Sequence, residues 1–374
     1  MITKLKNNLL LVFLLIPAVS DAKTNPVFAT ITVGDTPSNI AITPDGKYGY
    51  VANNNNDSIA NTVSVINLSN NTVSTITNGT FNQPYTITIN SAGTLAYVTN
   101  SGGSTISIVN IASNTVTSTI TGFYLPTGMV ITPDGNTAYV NNYGDNTLAS
   151  GNGNTISVVT NLTTTPAITH TITINSPTPP NAAPAALAIT PDGKYVYSAN
   201  YVDGNPGTGT VSVIDTSSNT IVDTITGFSG PFNIVITPNG KYAYVSNFGS
   251  NNFTPVGTTV SAIDLSTNKV IADIYVGVQP AGLAVTPDSR FVYVTVYNTL
   301  YLRPSFNGLN AAPGLVYIIN TATNQLMTPV ITVGYSPGGV AITPDGTRAY
   351  VTNYSSDTVS AINIVDRMWL NVCN

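Results

Sequence analysis

The sequence predicts an all-β fold, a seven-bladed β-propeller built from four-stranded antiparallel blades. Three observations support this: a turn motif that recurs seven times, short alternating strands around each copy, and an N-terminal strand that completes the last repeat. Of the 374 residues, 42% are hydrophobic and only 7% are charged. Because the apolar residues occur in short alternating runs, this composition is typical of sheet rather than of a disordered chain.

The recurring motif is a four-residue turn of the form Thr-Pro-Asp-Gly. Proline presets φ at the second turn position, aspartate tolerates the third, and glycine supplies the positive φ at the exit. Its copies follow one another at intervals of roughly 50 residues, the length of one four-stranded blade. The aspartates therefore have a structural role in the turn. The copies are residues 43–46, 90–93, 132–135, 190–193, 237–240, 286–289 and 343–346.

Each turn lies between strands that follow one pattern. In the first repeat an apolar strand at 39–42 precedes the turn, and a second strand at 47–53 follows it. Residues 62–67 form a third strand with strict alternation, and residues 72–76 form a fourth after a short turn. Helical periodicity is not evident anywhere, so we expect strands throughout.

The two ends of the chain predict how the ring closes. The last repeat supplies three strands, at 339–342, 348–352 and 358–363. Residues 28–34 resemble residues 331–334, which form the fourth strand of the preceding blade. We therefore expect the N-terminal strand to complete the last blade and to remove the open sheet edges.

The first 22 residues have the pattern of an export signal. Lys4 and Lys6 precede an apolar run at 9–16, and small residues then allow cleavage after either Ser20 or Ala22. The alternative, a retained membrane anchor, is disfavoured because the apolar run is too short to cross a bilayer. The predicted organisation is a signal peptide at 1–22, a propeller at 23–366 and a tail at 367–374, in a periplasmic, cell-surface or secreted protein without a transmembrane segment.

Charge and cysteine content limit the partners. The net charge is −5, and the sequence contains neither glutamate nor a basic cluster, so nucleic acid is not an expected partner. Cys373 is the only cysteine, which excludes an internal disulfide. The sequence predicts a monomeric propeller without a cofactor, and it leaves open whether Cys373 pairs with another chain.

Tyr97-Val98-Thr99-Asn100 and Tyr350-Val351-Thr352-Asn353, together with the recurring turns, resemble the YVTN-repeat β-propeller family. Related forms end at Asn53, Asn200 and Asn247. The resemblance covers residues 28 to about 366 and implies an exported protein of the surface-layer type. The sixth blade departs from the pattern, with Val296 in place of the asparagine, so the motif does not predict where its second strand ends.

Loop lengths indicate a recognition surface. In a four-stranded blade, the second-to-third loops and the crossings between blades lie on one face of the disc, and here these loops are long and variable. Binding residues concentrate in such loops on rigid scaffolds, although asparagine- and glycine-rich loops also vary without any function. The candidate binding residues on this face, for a protein or glycan at the cell surface, are Tyr143, Asp145, Tyr201, Asp203, Phe248, Phe253, Tyr301, Arg303 and Phe306.

Catalytic and metal-binding groups are scarce. His170 is the only histidine, and it is predicted on an outer fourth strand, on the same side as Ile168 and Ile172. Residues 53–57, and Asp145 with Asn152 and Asn154, carry oxygen ligands, but their spacing matches no defined calcium loop. No catalytic residue and no metal site are predicted.

Two functional hypotheses remain. The first is a non-catalytic exported binding scaffold that uses the long-loop face. The second is a propeller lactonase or lyase with a site in the central funnel, a reaction for which the sequence offers no glutamate and only an outer-strand histidine as a base. The sequence favours the first hypothesis and leaves the question of an enzyme open.

Overall fold

A computed structural model describes residues 26–54, 61–77, 81–144, 153–174, 183–202, 207–250, 256–297 and 312–364. Within these ranges, 28 strands form seven separate four-stranded antiparallel sheets. Six sheets follow chain order from their first to their fourth strand, and the seventh takes its outer strand from the N-terminal side of the chain. The prediction of a seven-bladed propeller is therefore confirmed.

The first four blades have the following strands. Blade one contains β2 (Pro37–Ile42), β3 (Tyr48–Asn53), β4 (Thr62–Asn67) and β5 (Val73–Ile76). Blade two contains β6 (Pro84–Ile89), β7 (Leu95–Asn100), β8 (Thr105–Asn110) and β9 (Thr115–Thr121). Blade three contains β10 (Pro126–Ile131), β11 (Thr137–Asn142), β12 (Thr155–Thr160) and β13 (Ala167–Thr173). Blade four contains β14 (Ala183–Ile189), β15 (Tyr195–Tyr201), β16 (Gly209–Asp215) and β17 (Thr220–Phe228).

The last three blades repeat this order. Blade five contains β18 (Pro231–Ile236), β19 (Tyr242–Gly249), β20 (Val256–Asp264) and β21 (Lys269–Tyr275). Blade six contains β22 (Pro280–Val285), β23 (Phe291–Val296), β24 (Leu315–Asn320) and β25 (Gln325–Thr332). Blade seven contains β26 (Pro337–Ile342), β27 (Arg348–Asn353), β28 (Thr358–Asn363) and β1 (Val27–Thr32).

The first strand of every blade contacts the first strands of both neighbouring blades, and β26 of blade seven contacts β2 of blade one, so the blades form a ring. The ring closes through β1, which pairs antiparallel to β28 with Ile31 opposite Val359. This confirms the prediction that the N-terminal strand completes the last blade. As the outer strand of the seventh sheet, β1 covers the edge of β28, which would otherwise be unpaired.

Hydrophobic clusters lie between adjacent blades rather than within one blade. Each of the seven clusters joins side chains of two neighbouring blades. The tyrosine of the repeated motif is fully buried in every blade; Tyr97, for example, packs with Met129 and Val140 of blade three. Burial of this apolar surface drives the stacking of one blade on the next.

The repeated turn has the geometry that its sequence predicts. In blade one, the Gly46 N–H donates to the Thr43 carbonyl oxygen at 2.8 Å, and Gly46 has a φ of +70°. The Thr43 hydroxyl donates to Asp45 Oδ1 at 2.6 Å, and this bond holds the pKa of that carboxyl below its ordinary value. The aspartate is thus part of the turn.

In blade six, β23 ends at Val296, which lies opposite Pro280. In every other blade the corresponding proline lies opposite the motif asparagine, so the register is the same. The strand therefore ends at the same position as the second strands of blades one, two, three and seven, although the motif asparagine is absent. Residues 1–25 and 365–374, which include the predicted signal peptide and tail, lie outside the described residues. Across the ranges that the structure covers, we find no helix with the length and hydrophobicity needed to span a membrane.

Candidate functional site

The candidate site lies on the face where second strands end and first strands begin, which we call the long-loop face. In each blade the proline near the start of the first strand lies opposite the last residue of the motif on the second strand, as Pro337 lies opposite Asn353. A register irregularity follows each of these prolines, where the first strand reaches the central axis. Such irregularities turn side chains and backbone away from the regular sheet.

The motif asparagine holds this region together. Asn353 Nδ2 donates to Thr358 Oγ1 at 3.1 Å and to Ser360 Oγ at 2.9 Å, and its Oδ1 accepts from the Gly334 N–H at 3.0 Å. A side chain on Gly334 would collide with this amide, because a Cβ there would lie 2.6 Å from Asn353 Cγ. The asparagine therefore joins two strands to the crossing between blades, which is a structural role.

Blade six replaces this polar group with apolar side chains. Val296 occupies the asparagine position, and Leu315 and Tyr317 occupy the positions of the threonine and serine that accept the asparagine's hydrogen bonds elsewhere. All three belong to one hydrophobic cluster. Since the asparagine and its two partners are replaced together, this position of blade six carries no amide that would need those partners.

An aromatic residue follows this position directly in five consecutive blades. We call these residues the aromatic arc: Tyr143, Tyr201, Phe248, Tyr297 and Tyr354. In four of the five, the backbone N–H donates to the carbonyl oxygen of a crossing residue with positive φ, as Tyr354 does to Ser336 at 3.1 Å. Blades one and two carry Asn54 and Ser101 at this position. The repeat itself therefore positions the arc.

The arc residues differ in their exposure. Tyr201 and Phe248 are 2% and 7% exposed, whereas Tyr143, Tyr297 and Tyr354 are half-buried. Their rings contact one another: Tyr143 and Tyr201 have centroids 6.5 Å apart, and Phe248 packs edge-on against Tyr297 at 5.5 Å. Phe248 also lies 5.1 Å from Phe232 of β18. Such ring pairs stabilise the arc beyond simple burial.

The arc borders a central cavity of about 190 Å³. All seven blades contribute to its wall, so it lies on the ring axis. The lining residues are Ser38, Asn39, Tyr85, Thr86, Gly128, Met129, Ala185, Ala186, Leu187, Phe232, Asn233, Gly282, Tyr297, Gly338, Gly339 and Tyr354. The described part of the wall therefore presents aromatic rings, hydroxyls, side-chain amides and backbone groups to the cavity.

Phenol groups from opposite sides of the ring interact across this cavity. Burial raises the pKa of Tyr85 well above its ordinary value, and Tyr297, Tyr143 and Tyr354 raise it further. Their effect follows from proximity, since ionisation of one phenol disfavours ionisation of the others. The Tyr85 phenol is therefore neutral at physiological pH and can both donate and accept a hydrogen bond.

The candidate binding residues predicted from the sequence divide into two groups. Tyr143, Tyr201 and Phe248 lie together in the aromatic arc. Asp145, Asp203, Phe253, Tyr301, Arg303 and Phe306 lie outside the described residues.

Sequence reasoning missed four cavity-lining aromatic residues, Tyr85, Phe232, Tyr297 and Tyr354. Aligning the repeats on the position that follows the motif would have found the last two. Tyr85 and Phe232 directly follow the proline of their first strands, and no sequence signal marks that position as facing the cavity.

His170 lies on β13, an outer strand, and is exposed. The predicted outer strand is thus confirmed, but the predicted side-sharing with Ile168 is wrong. Val158 pairs with His170 and the next residue, Val159, pairs with Ile168, because a bulge inserts one extra residue between them. The first strand of this blade, β10, lines the cavity. His170 lies three strand spacings from β10, which is about 14 Å.

Of the residues weighed as calcium ligands, Asn53, Asn54 and Asn154 are described, and the others lie outside the described ranges. The Oδ1 atoms of Asn53 and Asn54 are buried and have no hydrogen-bond partner. Asn53 Nδ2 donates to Thr62 and Ser64, and Asn154 Nδ2 donates to the Ile174 carbonyl oxygen at 3.1 Å. Residues 55–60 and 145–152 are not described. Among the residues that are, no three His, Cys, Asp or Glu side chains gather where they would hold a metal ion.

The fold and site define a seven-bladed propeller with an aromatic-lined axial cavity. The model of the family described as Lactonase, 7-bladed beta-propeller matches residues 18–131, 115–272 and 222–368, and the chain belongs to this family. A comparison with curated protein sequences returned no match. Among solved structures, a chain of the Kuenenia stuttgartiensis hydrazine synthase is similar, with a TM-score of 0.72, 22% identity, and coverage of 90% of this chain and 97% of that chain. At this identity the similarity concerns the fold alone.

Proposed function

We propose that this chain is a non-catalytic, exported binding protein that holds a protein or glycan on its long-loop face, in the periplasm or at the cell surface. The observation that carries the proposal is the axial cavity on that face, lined by aromatic rings, amides and hydroxyls. Concave sites with convergent polar groups and aromatic side chains are a usual form of a binding site. The export signal predicted at residues 1–22 supports the location.

Within its family, we assign the chain to the YVTN-repeat propellers. Three of the four motif residues have roles here that recur in several blades. The tyrosine fills the core between blades, and the asparagine joins two strands to the crossing. The threonine bonds to the next blade, as Thr99 Oγ1 donates to the Thr127 carbonyl oxygen at 3.1 Å. The resemblance to this repeat implies a protein of the surface-layer type.

Lactone hydrolysis is the second candidate, and the family match is the observation that favours it. Hydrolysis requires a base or an activated water near the reacting carbonyl. The described wall of the cavity offers tyrosines, and the pKa of Tyr85 is raised, which makes it a poor base near neutral pH. The binding function needs no such group, and we therefore favour it.

The test combines capture and turnover on one purified, mature protein. The immobilised protein is exposed to solubilised cell-envelope material, and the free protein is assayed against a panel of γ- and δ-lactones. We expect capture without turnover. Tyr297→Ala and Tyr354→Ala should each weaken capture about tenfold or more, as central aromatic contacts do.

The matched control is Tyr195→Ala, which removes a 38% exposed tyrosine from the opposite face and should leave capture unchanged. Turnover of any lactone that is lost in Tyr297→Ala would establish the lactonase function instead. Capture that depends on Tyr195 and not on the arc would refute the long-loop face as the binding surface.

A further inference from the structure

We propose that the axial cavity binds one ring of a neutral carbohydrate, as the terminal or an internal unit of a glycan. This inference rests on the proposed binding function and names the chemical class of its ligand. It follows from the charge, the arrangement of polar and aromatic groups, and the size of the described cavity wall.

The charge of the wall selects a neutral ligand. The described residues that line the cavity carry no formal charge at neutral pH. An anionic ligand such as a sugar phosphate or a carboxylate would lose its hydration there and gain no cation in return, which disfavours its binding. A neutral ligand avoids this cost.

Aromatic and polar groups both line the wall, and they are interspersed around the ring. Phe232, Tyr297 and Tyr354 come from the consecutive blades five, six and seven, with a further tyrosine in blade two, and Asn39 and Asn233 place amides in blades one and five. A pyranose ring has an apolar C–H face and a rim of hydroxyls. Its C–H face matches the aromatic rings, and its hydroxyls match the amide and hydroxyl groups beside them.

Small residues leave the space that the ligand would occupy. Gly128, Ala185 and Ala186 line the cavity in blades three and four. At roughly 10–15 Å³ for each water, a cavity of about 190 Å³ holds on the order of ten waters. That is comparable to the number of non-hydrogen atoms in one hexose ring with its hydroxyls.

The phenol group of Tyr85 adds selectivity for hydroxylated ligands. This phenol lines the cavity and, like any tyrosine with an ordinary pKa of about 10, it keeps its proton at physiological pH. A neutral phenol donates one hydrogen bond and accepts others, as a sugar hydroxyl does. Sites built to bond a hydroxyl discriminate strongly against ligands that lack it.

The experiment measures binding of defined sugars by calorimetry and by saturation-transfer NMR. The neutral probes are maltotetraose, cellotetraose and chitotetraose, and the anionic probe is glucose 6-phosphate. We expect saturable binding of at least one neutral probe with Kd below about 1 mM, and weaker or no binding of the phosphate. Tyr85→Phe and Tyr354→Phe keep the ring and should each weaken binding about three- to tenfold by removing one hydroxyl.

Tyr195→Phe on the opposite face is the matched control and should bind as the unaltered protein does. The thermal midpoint of each variant shows whether it is folded. Absence of binding for all three neutral probes, tighter binding of glucose 6-phosphate, or binding that Tyr85→Phe and Tyr354→Phe leave unchanged would each overturn the carbohydrate assignment. If envelope capture still depends on Tyr297 in that case, the proposed binding function stands and only the ligand class is wrong.

Discussion

The hydroxyl of Tyr139 in blade three donates a 2.6 Å hydrogen bond to Oδ1 of Asn219 in blade four. Asn219 lies in the turn before a fourth strand and has a φ of +54°. The same bond recurs between other neighbouring blades, from Tyr50 to Asn114, from Tyr197 to Asn268 and from Tyr244 to Asn324. A buried motif tyrosine thus ties its blade to the next one, on the face opposite the long loops.

These buried tyrosines predict a loss of stability in alkaline solution. Burial raises the pKa of Tyr139, and likewise of Tyr50 and Tyr197, to about 12 from an ordinary value of 10.0. Between pH 10 and pH 12 the unfolded chain loses these protons while the folded chain keeps them. The contribution of these tyrosines to the free energy of unfolding should therefore be constant below pH 10 and fall as the pH rises toward 12.

Urea denaturation at a series of pH values measures this effect. Tyr139→Phe should reduce the slope between pH 10 and pH 12, because one titrating group is removed. Tyr275→Phe is the control, since Tyr275 is 66% exposed. A free energy of unfolding that does not change across this range would contradict the prediction.

Asn141→Thr should stabilise the protein by about 1 kcal/mol. Asn141 is fully buried, and neither its side-chain nitrogen nor its oxygen has a hydrogen-bond partner. In other blades a hydroxyl at this position bonds to the next blade, as Thr295 Oγ1 does to the Gly338 carbonyl oxygen at 2.7 Å. The thermal midpoint measures the change, and an unchanged or lower midpoint would show that the amide of Asn141 contributes to stability.

Asn353→Ala should destabilise the protein by roughly 2–3 kcal/mol. The substitution leaves Thr358, Ser360 and the Gly334 N–H without the amide that they contact. Asn363→Ala, at an exposed position at the end of β28, should change stability by less than about 0.5 kcal/mol. Equal effects of the two substitutions would refute the role of the motif amide.

Val296→Asn should also destabilise the protein, although it restores the motif. Its neighbours Leu315 and Tyr317 are those of an apolar cluster, so the new amide would be buried without partners at a cost of about 1–3 kcal/mol. Chemical denaturation measures the loss. A stabilised Val296→Asn variant would show that the motif residue acts independently of its two partners.

Deleting residues 26–34 should abolish cooperative unfolding or cause aggregation. The deletion removes β1, exposes the edge of β28, and takes Ile31 out of the core between blades seven and one. Adding a peptide of residues 26–34 should restore the cooperative transition, and deletion of residues 367–374 is the control. A deletion variant that unfolds cooperatively at an unchanged midpoint would mean that β1 does not close the ring.

The local features of the blades follow directly from the sequence. The turn residues at 43–46 specify their own geometry, because proline fixes φ at the second position and glycine allows a positive φ at the fourth. The alternation at 62–67 predicted a strand, and β4 has these bounds in the structure. Both faces of β4 are buried, because each blade packs against two neighbours. The match of residues 28–34 to a fourth strand predicted the partner of β28.

The candidate site was predictable only in part. Tyr143, Tyr201 and Phe248 stand out because they are aromatic residues in or beside long loops. Tyr85 and Phe232 lie inside first strands, where an aromatic residue is ordinarily a core residue, and the sequence gives no sign that those strands face an axial cavity. The bulge at His170 was equally invisible, because an inserted residue leaves the alternation of types around it unchanged.

The sequence by itself determined the repeat, the strand order and the closure of the ring, because each depends on contacts between residues near one another in the chain or on one matching strand. The tertiary structure alone decided which side chains meet on the axis. Tyr85 and Tyr354 come from different blades and interact only because seven blades converge there. The size of the cavity and the raised pKa of Tyr85 arise from that convergence, since both depend on how much protein surrounds a point in space.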